Sequence, residues 1–176
     1  FSQSNQDEMF LLTGEKSVDA DENAILAHSV EAAAQNGRAS PMDSSTCSHG
    51  GVIVISDQVE SELSYLYQRD LKMPDGKRSW HIHELDLGSV PEDVYLVIGS
   101  TGIIAPTSKQ VAKVAHILKQ NPNRMEEIET IGKIARRGID ALVCGDYEAV
   151  GRTMTENQIM LQGIGVSSPE LDALIK

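Results

Sequence analysis

Apolar residues follow two different rhythms along the chain, and these rhythms predict its elements. Over residues 17–35, Ile25, Leu26, Val30 and Ala33 recur near helical period behind Asp19, Asp21 and Glu22. That pattern predicts a helix whose acidic start suits its dipole. Asn36-Gly37 is a stop signal. A loop of small and polar residues follows over 38–51, then Val52-Ile53-Val54-Ile55 reads as a buried strand between Gly51 and Ser56-Asp57. Residues 57–79 are charged and carry no clear period, but Pro74-Asp75-Gly76 marks a turn. Residues 80–87 alternate as a strand does. Residues 94–100 form a continuous apolar run, the pattern of a more deeply buried strand.

Beyond residue 106 the rhythm is helical throughout. Thr107 with Gln110 fits a capping box, opening a helix to about Gln120 that Asn121-Pro122-Asn123 breaks. Ile128, Ile131, Ala135, Ile139 and Leu142 predict a helix over 126–142, ended by Gly145. Asp146 is placed to cap the next helix, which runs towards Gly163. Ser168-Pro169-Glu170 opens a last one, in which Leu171, Leu174 and Ile175 form an apolar stripe. Strands gather early and helices late. This order predicts an α+β fold rather than a doubly wound sheet.

Composition narrows the function. The 176 residues carry a formal charge of −11, and aromatics are only 4%. The core is therefore expected to be aliphatic. So acidic a chain is a poor binder of nucleic acid or of an anionic membrane. No apolar run approaches the ~20 residues of a membrane span. The polar, acidic opening residues show no secretory signal. Cys47 and Cys144 make neither a disulfide framework nor a zinc knuckle. The expectation is a soluble cytoplasmic protein. A start at Phe1, with polar residues leading to Met9-Phe10-Leu11-Leu12, further suggests a processed chain or a fragment.

The segment 37–51 is the richest in candidate chemistry. It holds one carboxylate, Asp43, among small and hydroxylated residues, before the Gly50-Gly51 pair. Small residues allow a ligand close to the backbone, and an Asp there can serve as a general base or orient a hydroxyl. An ordinary Ser/Gly-rich turn capped by Asp fits the same letters. Glu31, on the preceding helix, is either a magnesium ligand or a solvated helix residue. His81 and His83, two apart on a strand, share a face, but a metal site needs a third ligand that the sequence does not offer. His28 and His116 read as helix residues without a role. The Lys and Arg residues over 109–137 are interrupted by Glu126, Glu127 and Glu129 and read as a solvated face. No GxxxxGK[ST], GxGxxG or GxSxG motif occurs.

Three stretches together resemble the GHMP kinase superfamily, and within it the archaeal-type mevalonate kinases. The first is Gly37-Arg38-Ala39-Ser40-Pro41-Met42-Asp43, continuing through Ser48-His49-Gly50-Gly51. It is similar to the family's G-x-x-S-x-x-D loop. The second is Val97-Ile98-Gly99-Ser100-Thr101-Gly102, followed by Thr107 and Val111. The third is Gly145-Asp146-Tyr147, Gly151-Arg152, Met154, Asn157-Gln158, Leu161 and Gly165-Val166-Ser167, a long helical signature.

The resemblance implies the end of an N-terminal kinase domain over 1–90 and the helix-rich part of a C-terminal domain over 91–176. It implies transfer of the ATP γ-phosphoryl group to the 5-hydroxyl of mevalonate. Asp43 would be the catalytic carboxylate and Glu31 the magnesium ligand. Ser40, Thr101 and Thr107 would contact the acceptor, with ATP and Mg2+ as cofactors and a homodimer as one option for assembly. Phosphomevalonate kinase, mevalonate 3-kinase and a non-catalytic binding module are the alternatives. The resemblance puts the family's phosphate-gripping loop and N-terminal lysine upstream of Ser17, where residues 1–16 show no such pattern, and its late Gly-rich motif shortly after Lys176, where the sequence stops. Ser108 stands where the family often has a basic residue, and 57–79 is longer than its usual hairpin. The chain is thus expected to be the middle of a larger kinase, inactive by itself.

Overall fold

The computed structural model describes residues 19–73 and 76–175. The chain divides into two compact units, residues 1–86 and 87–176.

In the first unit, helix α1 (Ala20–Ala34) and the short helix α2 (Met42–His49) precede three strands, β1 (Val52–Ser56), β2 (Ser64–Met73) and β3 (Gly76–Leu85). The strands form one antiparallel sheet in the order β1-β3-β2. Ala24, Tyr67 and Ile82 form its core, with Ile25, Ile53, Ile55, Leu66 and Trp80 packed around them. The buried stripe of α1 is Ala24, His28 and Ala32, not the predicted apolar face, and Leu26 and Val30 are exposed. Two alanines one turn either side of His28 let the helix backbone approach its neighbours closely, so small side chains face inward.

A bulge in β2 decides which side chains meet the helices. Tyr65 lies opposite His83, and Tyr67 lies opposite Ile82, so Leu66 is an extra residue. Without it, Tyr65, Tyr67 and Arg69 would share one face. With it, Tyr67 and Arg69 join Ile82 and Trp80, while Tyr65 stays with His83.

The second unit holds α3 (Thr107–Gln120), a 3-10 turn (Pro122–Arg124), α4 (Met125–Val143), α5 (Tyr147–Gly163) and α6 (Pro169–Ile175). Buried Ile134 and Ala141 mark the inner face of α4, and buried Thr153 that of α5. At Gly138 a Cβ would stand 3.2 Å from the Thr153 hydroxyl, so glycine brings these two helices together. Asp146 caps α5 as its sequence position predicts, accepting the Ala149 N–H at 2.9 Å. Arg124 forks onto both Glu127 carboxylate oxygens at 3.0 and 2.8 Å and also donates to the Gly163 carbonyl. That ion pair raises the Arg124 pKa and lowers that of Glu127.

Several expectations need correction. The segment 42–49, read as loop, is α2. The strand expected over 80–87 runs from Gly76 to Leu85. Residues 94–100 form no strand, and Leu96, Val97 and Ile98 are 78–89% exposed. A strand needs a partner, and none of the described strands pairs with this run. The capping box at Thr107 is absent, because Pro106 is the N-cap of α3 and no side chain caps it. Leu174 and Ile175 are half exposed. Met9–Leu12 and the Pro74-Asp75 turn lie outside the described residues, and Gly76, with φ 142°, opens β3.

Replacing fully buried Ile82 with alanine is expected to cost about 2–5 kcal/mol of stability. Val30→Ala, at a position 65% exposed, is expected to stay within about 0.5 kcal/mol. Urea unfolding of both variants checks this, and similar losses at the two positions would mean that α1 presents its other face to the sheet.

Candidate functional site

The residues with candidate chemistry in the first unit stand where α1 turns into α2. That turn is made by local hydrogen bonds. Asn36, with φ 51°, and Gly37, with φ 73°, occupy the left-handed region, and Gly37 N–H donates to the Ala32 carbonyl at 2.7 Å. This is a Schellman ending with asparagine in the left-handed position. The chain then passes Arg38 and Ser40, both exposed, while Ala39 and Pro41 are buried.

Serines start α2. The hydroxyls of Ser44 and Ser45 both donate to the Pro41 carbonyl, which also accepts the Ser45 N–H at 2.9 Å. These residues have weak helix propensity, so the eight-residue helix depends on its surroundings. Asp43 lies in its first turn and is exposed. A carboxylate there is favoured by the helix dipole, which gives it a structural role whatever its chemistry. At the other end His49 pairs with Asp21 at 3.1 Å and stacks on Tyr67. Burial raises the Asp21 pKa, and its contact with His49 opposes that rise.

Two buried polar contacts fasten this turn. The Ser45 hydroxyl and the Tyr67 hydroxyl lie 2.8 Å apart. Burial pushes the Tyr67 pKa up, so the phenol stays protonated and available for that bond. His28, fully buried, lies 3.2 Å from the Ala39 carbonyl through Nε2, and its Nδ1 is 2.9 Å from Arg69 Nε. A guanidinium N–H can only donate, so Nδ1 accepts. Nε2 therefore carries the proton and donates it to Ala39. The ring is neutral, and burial lowers its pKa, with the Arg69 charge adding to the effect.

Of the residues proposed from sequence, Ser40 and Asp43 stand three positions apart at the start of α2, both exposed. Glu31 is half-buried on α1, and its carboxylate accepts from Gln35 Nε2 at 2.9 Å. Thr101 and Thr107 belong to the second unit. Thr101 Oγ1 accepts the Ile103 N–H at 3.2 Å, and Thr107 is the first, exposed residue of α3. Among the described residues no group of three or more His, Cys, Asp and Glu side chains is arranged to hold a metal. Mg2+ commonly takes only one or two carboxylates and completes its shell with water and substrate phosphates. Glu31 offers one carboxylate, engaged by the Gln35 side-chain amide.

Sequence reading missed His28, Arg69, Ser45 and Tyr67. The signal available for His28 was its place between Ala24 and Ala32 in a four-residue repeat. Nothing local marked Arg69 or Tyr67, because the bulge that turns them inward is a property of strand pairing. His81 and His83 do share a sheet face. His83 is fully buried and accepts the Glu60 N–H at 3.0 Å.

Because the folded state disfavours protonated His28, the unfolded chain binds the extra proton. Stability is then fully retained above the ordinary histidine value of about 6.5 and falls as pH drops below it, by at most about 1.4 kcal/mol per pH unit for one site. His28→Gln is expected to be less stable at pH 7 and to lose less between pH 7 and pH 5 than the parent. Parallel pH profiles by thermal melting would show that His28 is not the group protonated on unfolding.

Compared with known proteins, the chain is 29% identical over 155 residues to the mevalonate kinase of Methanothermobacter thermautotrophicus. The match covers 88% of this chain and 43% of that protein, so the chain spans less than half of the curated relative's length. No family model matches the chain, and no solved structure does. The similarity, extended over most of the chain, supports a GHMP-kinase-like relationship.

Proposed function

We propose that the chain is the acceptor-side part of an ATP-dependent kinase that phosphorylates the 5-hydroxyl of mevalonate. The observation that carries this reading is the similarity to a mevalonate kinase over 155 residues. The serine-rich turn holding Ser40 and Asp43 adds to it. In this reading Asp43, exposed in the first turn of α2, accepts or orients the proton of the attacking hydroxyl. Ser40 binds the acceptor beside it, and Thr101 and Thr107 complete the acceptor contacts. Glu31 holds Mg2+, which neutralises phosphate charge during transfer. The kinase is cytoplasmic, and its small-molecule partners are mevalonate and ATP.

The physical logic is that phosphoryl transfer asks the protein for position more than for covalent chemistry. A carboxylate on a short helix serves this only if the helix start is fixed. Ser44, Ser45, Tyr67 and His28 supply that fixity with uncharged side chains, and the one charged group they meet is the Arg69 guanidinium that donates to His28. Tyr67 and His28 come from other elements, so the turn is held from outside as well as by its own serines.

In the kinase that carries this chain, Asp43→Asn is expected to lower kcat for mevalonate phosphorylation by about 10²-fold or more while leaving the KM for ATP nearly unchanged. Steady-state kinetics with mevalonate and MgATP check this. Turnover near the parent value would remove Asp43 from the chemistry and leave it the partner of a helix dipole.

A further inference from the structure

One cation stands in the turn that carries Ser40 and Asp43, and the reaction proposed for that turn leaves it without a task. Arg38 is the one Lys or Arg between Ser17 and Gln68, a stretch that holds eight Asp and Glu residues. No carboxylate pairs with it even so. Among the described residues the Arg38 guanidinium makes neither an ion pair nor a hydrogen bond.

The turn sets its direction. Burial alternates along the chain there: Gly37, Ala39 and Pro41 are buried, while Arg38 and Ser40 are exposed. Residues two apart in such an alternation share a side, so Arg38 and Ser40 face outward together. Asp43, three residues further on, is exposed as well. The backbone beneath them is fixed. Arg38 N–H donates to the Gln35 carbonyl at 3.2 Å, the Ala39 carbonyl accepts from His28 Nε2, and the Pro41 carbonyl takes the Ser44 and Ser45 hydroxyls. The bonds that place Ser40 therefore also place the root of the Arg38 side chain.

Electrostatics gives this cation something to do. The acceptor of the proposed reaction is an anion, with a carboxylate at one end and the reacting hydroxyl at the other. To bring that hydroxyl to Asp43 it must enter a stretch with eight carboxylates and one guanidinium. Like charges at short range repel unless a cation offsets them. A guanidinium is charged at every working pH, and its planar fork fits a carboxylate with two parallel N–H···O bonds. MgATP is the other anion of the reaction, but the candidate magnesium ligand, Glu31, lies back on α1. Ser40, the candidate acceptor contact, shares the outward side with Arg38. That placement favours the acceptor over the nucleotide.

We infer that Arg38 binds the carboxylate of the acceptor and so makes the site select an anionic alcohol over a neutral one. This rests on the mevalonate kinase reading and adds to it a residue that determines specificity.

The test uses the kinase that carries this chain and two acceptors that differ at one end, mevalonate and 3-methylpentane-1,3,5-triol, in which a hydroxymethyl group replaces the carboxylate. Arg38→Gln is expected to lower kcat/KM for mevalonate about tenfold or more, chiefly through KM, and to leave kcat/KM for the triol within about twofold. The KM for ATP stays at the parent value. Where the triol turns over too slowly to follow, its inhibition constant against mevalonate is read instead and is expected to be the same in both enzymes. Arg38→Lys should recover part of the loss, because it keeps the charge without the fork. Arg38 is exposed, so its variants are expected to melt with the parent. An equal loss on both acceptors, a rise in the KM for ATP alone, or no loss at all would overturn the inference and leave the kinase reading standing. A parent enzyme that phosphorylates neither acceptor would remove that reading, and the inference with it.

Discussion

The neutral, doubly hydrogen-bonded imidazole of His28 is the constraint on which the first unit depends. One nitrogen reaches forward to the Ala39 carbonyl and the other back to Arg69 on β2. A helix, the turn after it and a strand are thus joined through one buried ring. Losing either partner would strand a polar nitrogen in a site with no water-exposed surface, which costs about 1–3 kcal/mol. Protonating the ring would force Nδ1 to face an arginine as a donor. Both changes loosen the turn that carries Ser40 and Asp43.

The second fastening, Ser45 to Tyr67, is a neutral bond between a helix start and the sheet. Both fastenings need the bulge at Leu66, since only beyond it do Tyr67 and Arg69 face the helices. The bulge, the buried polar pairs and the serine-rich start of α2 therefore form one arrangement. Two alanines permit it by letting α1 lie close. Aliphatic packing around Ile82 supplies stability, and the polar bonds select the position of the turn.

Much of the element order was legible in the sequence. The helix stop at Asn36-Gly37, the strand from Val52, the Asp146 cap and the late helices all follow from local chemistry acting within a few residues. What could not be read depended on partners distant in sequence. The inward face of α1 was set by how closely its neighbours approach, so Ala24, His28 and Ala32 outranked Leu26 and Val30. The helix α2 is built from Met42, Asp43, Ser44, Ser45, Thr46, Cys47, Ser48 and His49, a composition that reads as loop unless Tyr67 and His28 are known to hold it. The apolar run 94–100 signals burial, yet pairing rather than composition makes a strand. Asp43, Ser40 and Glu31 were nameable through resemblance to a family, whereas the groups that hold their turn in place were visible only once β2 and α1 were set side by side.

The tautomer of His28 tests this account most directly. Nitrogen NMR of the chain labelled at its histidine rings reads the protonation of each ring nitrogen at pH 7. The account predicts a neutral His28 with its proton on Nε2, slow to exchange with solvent, and with Nδ1 unprotonated. A proton on Nδ1, or a ring charged at pH 7, would contradict the bond from Arg69 and with it the joint between helix, turn and sheet.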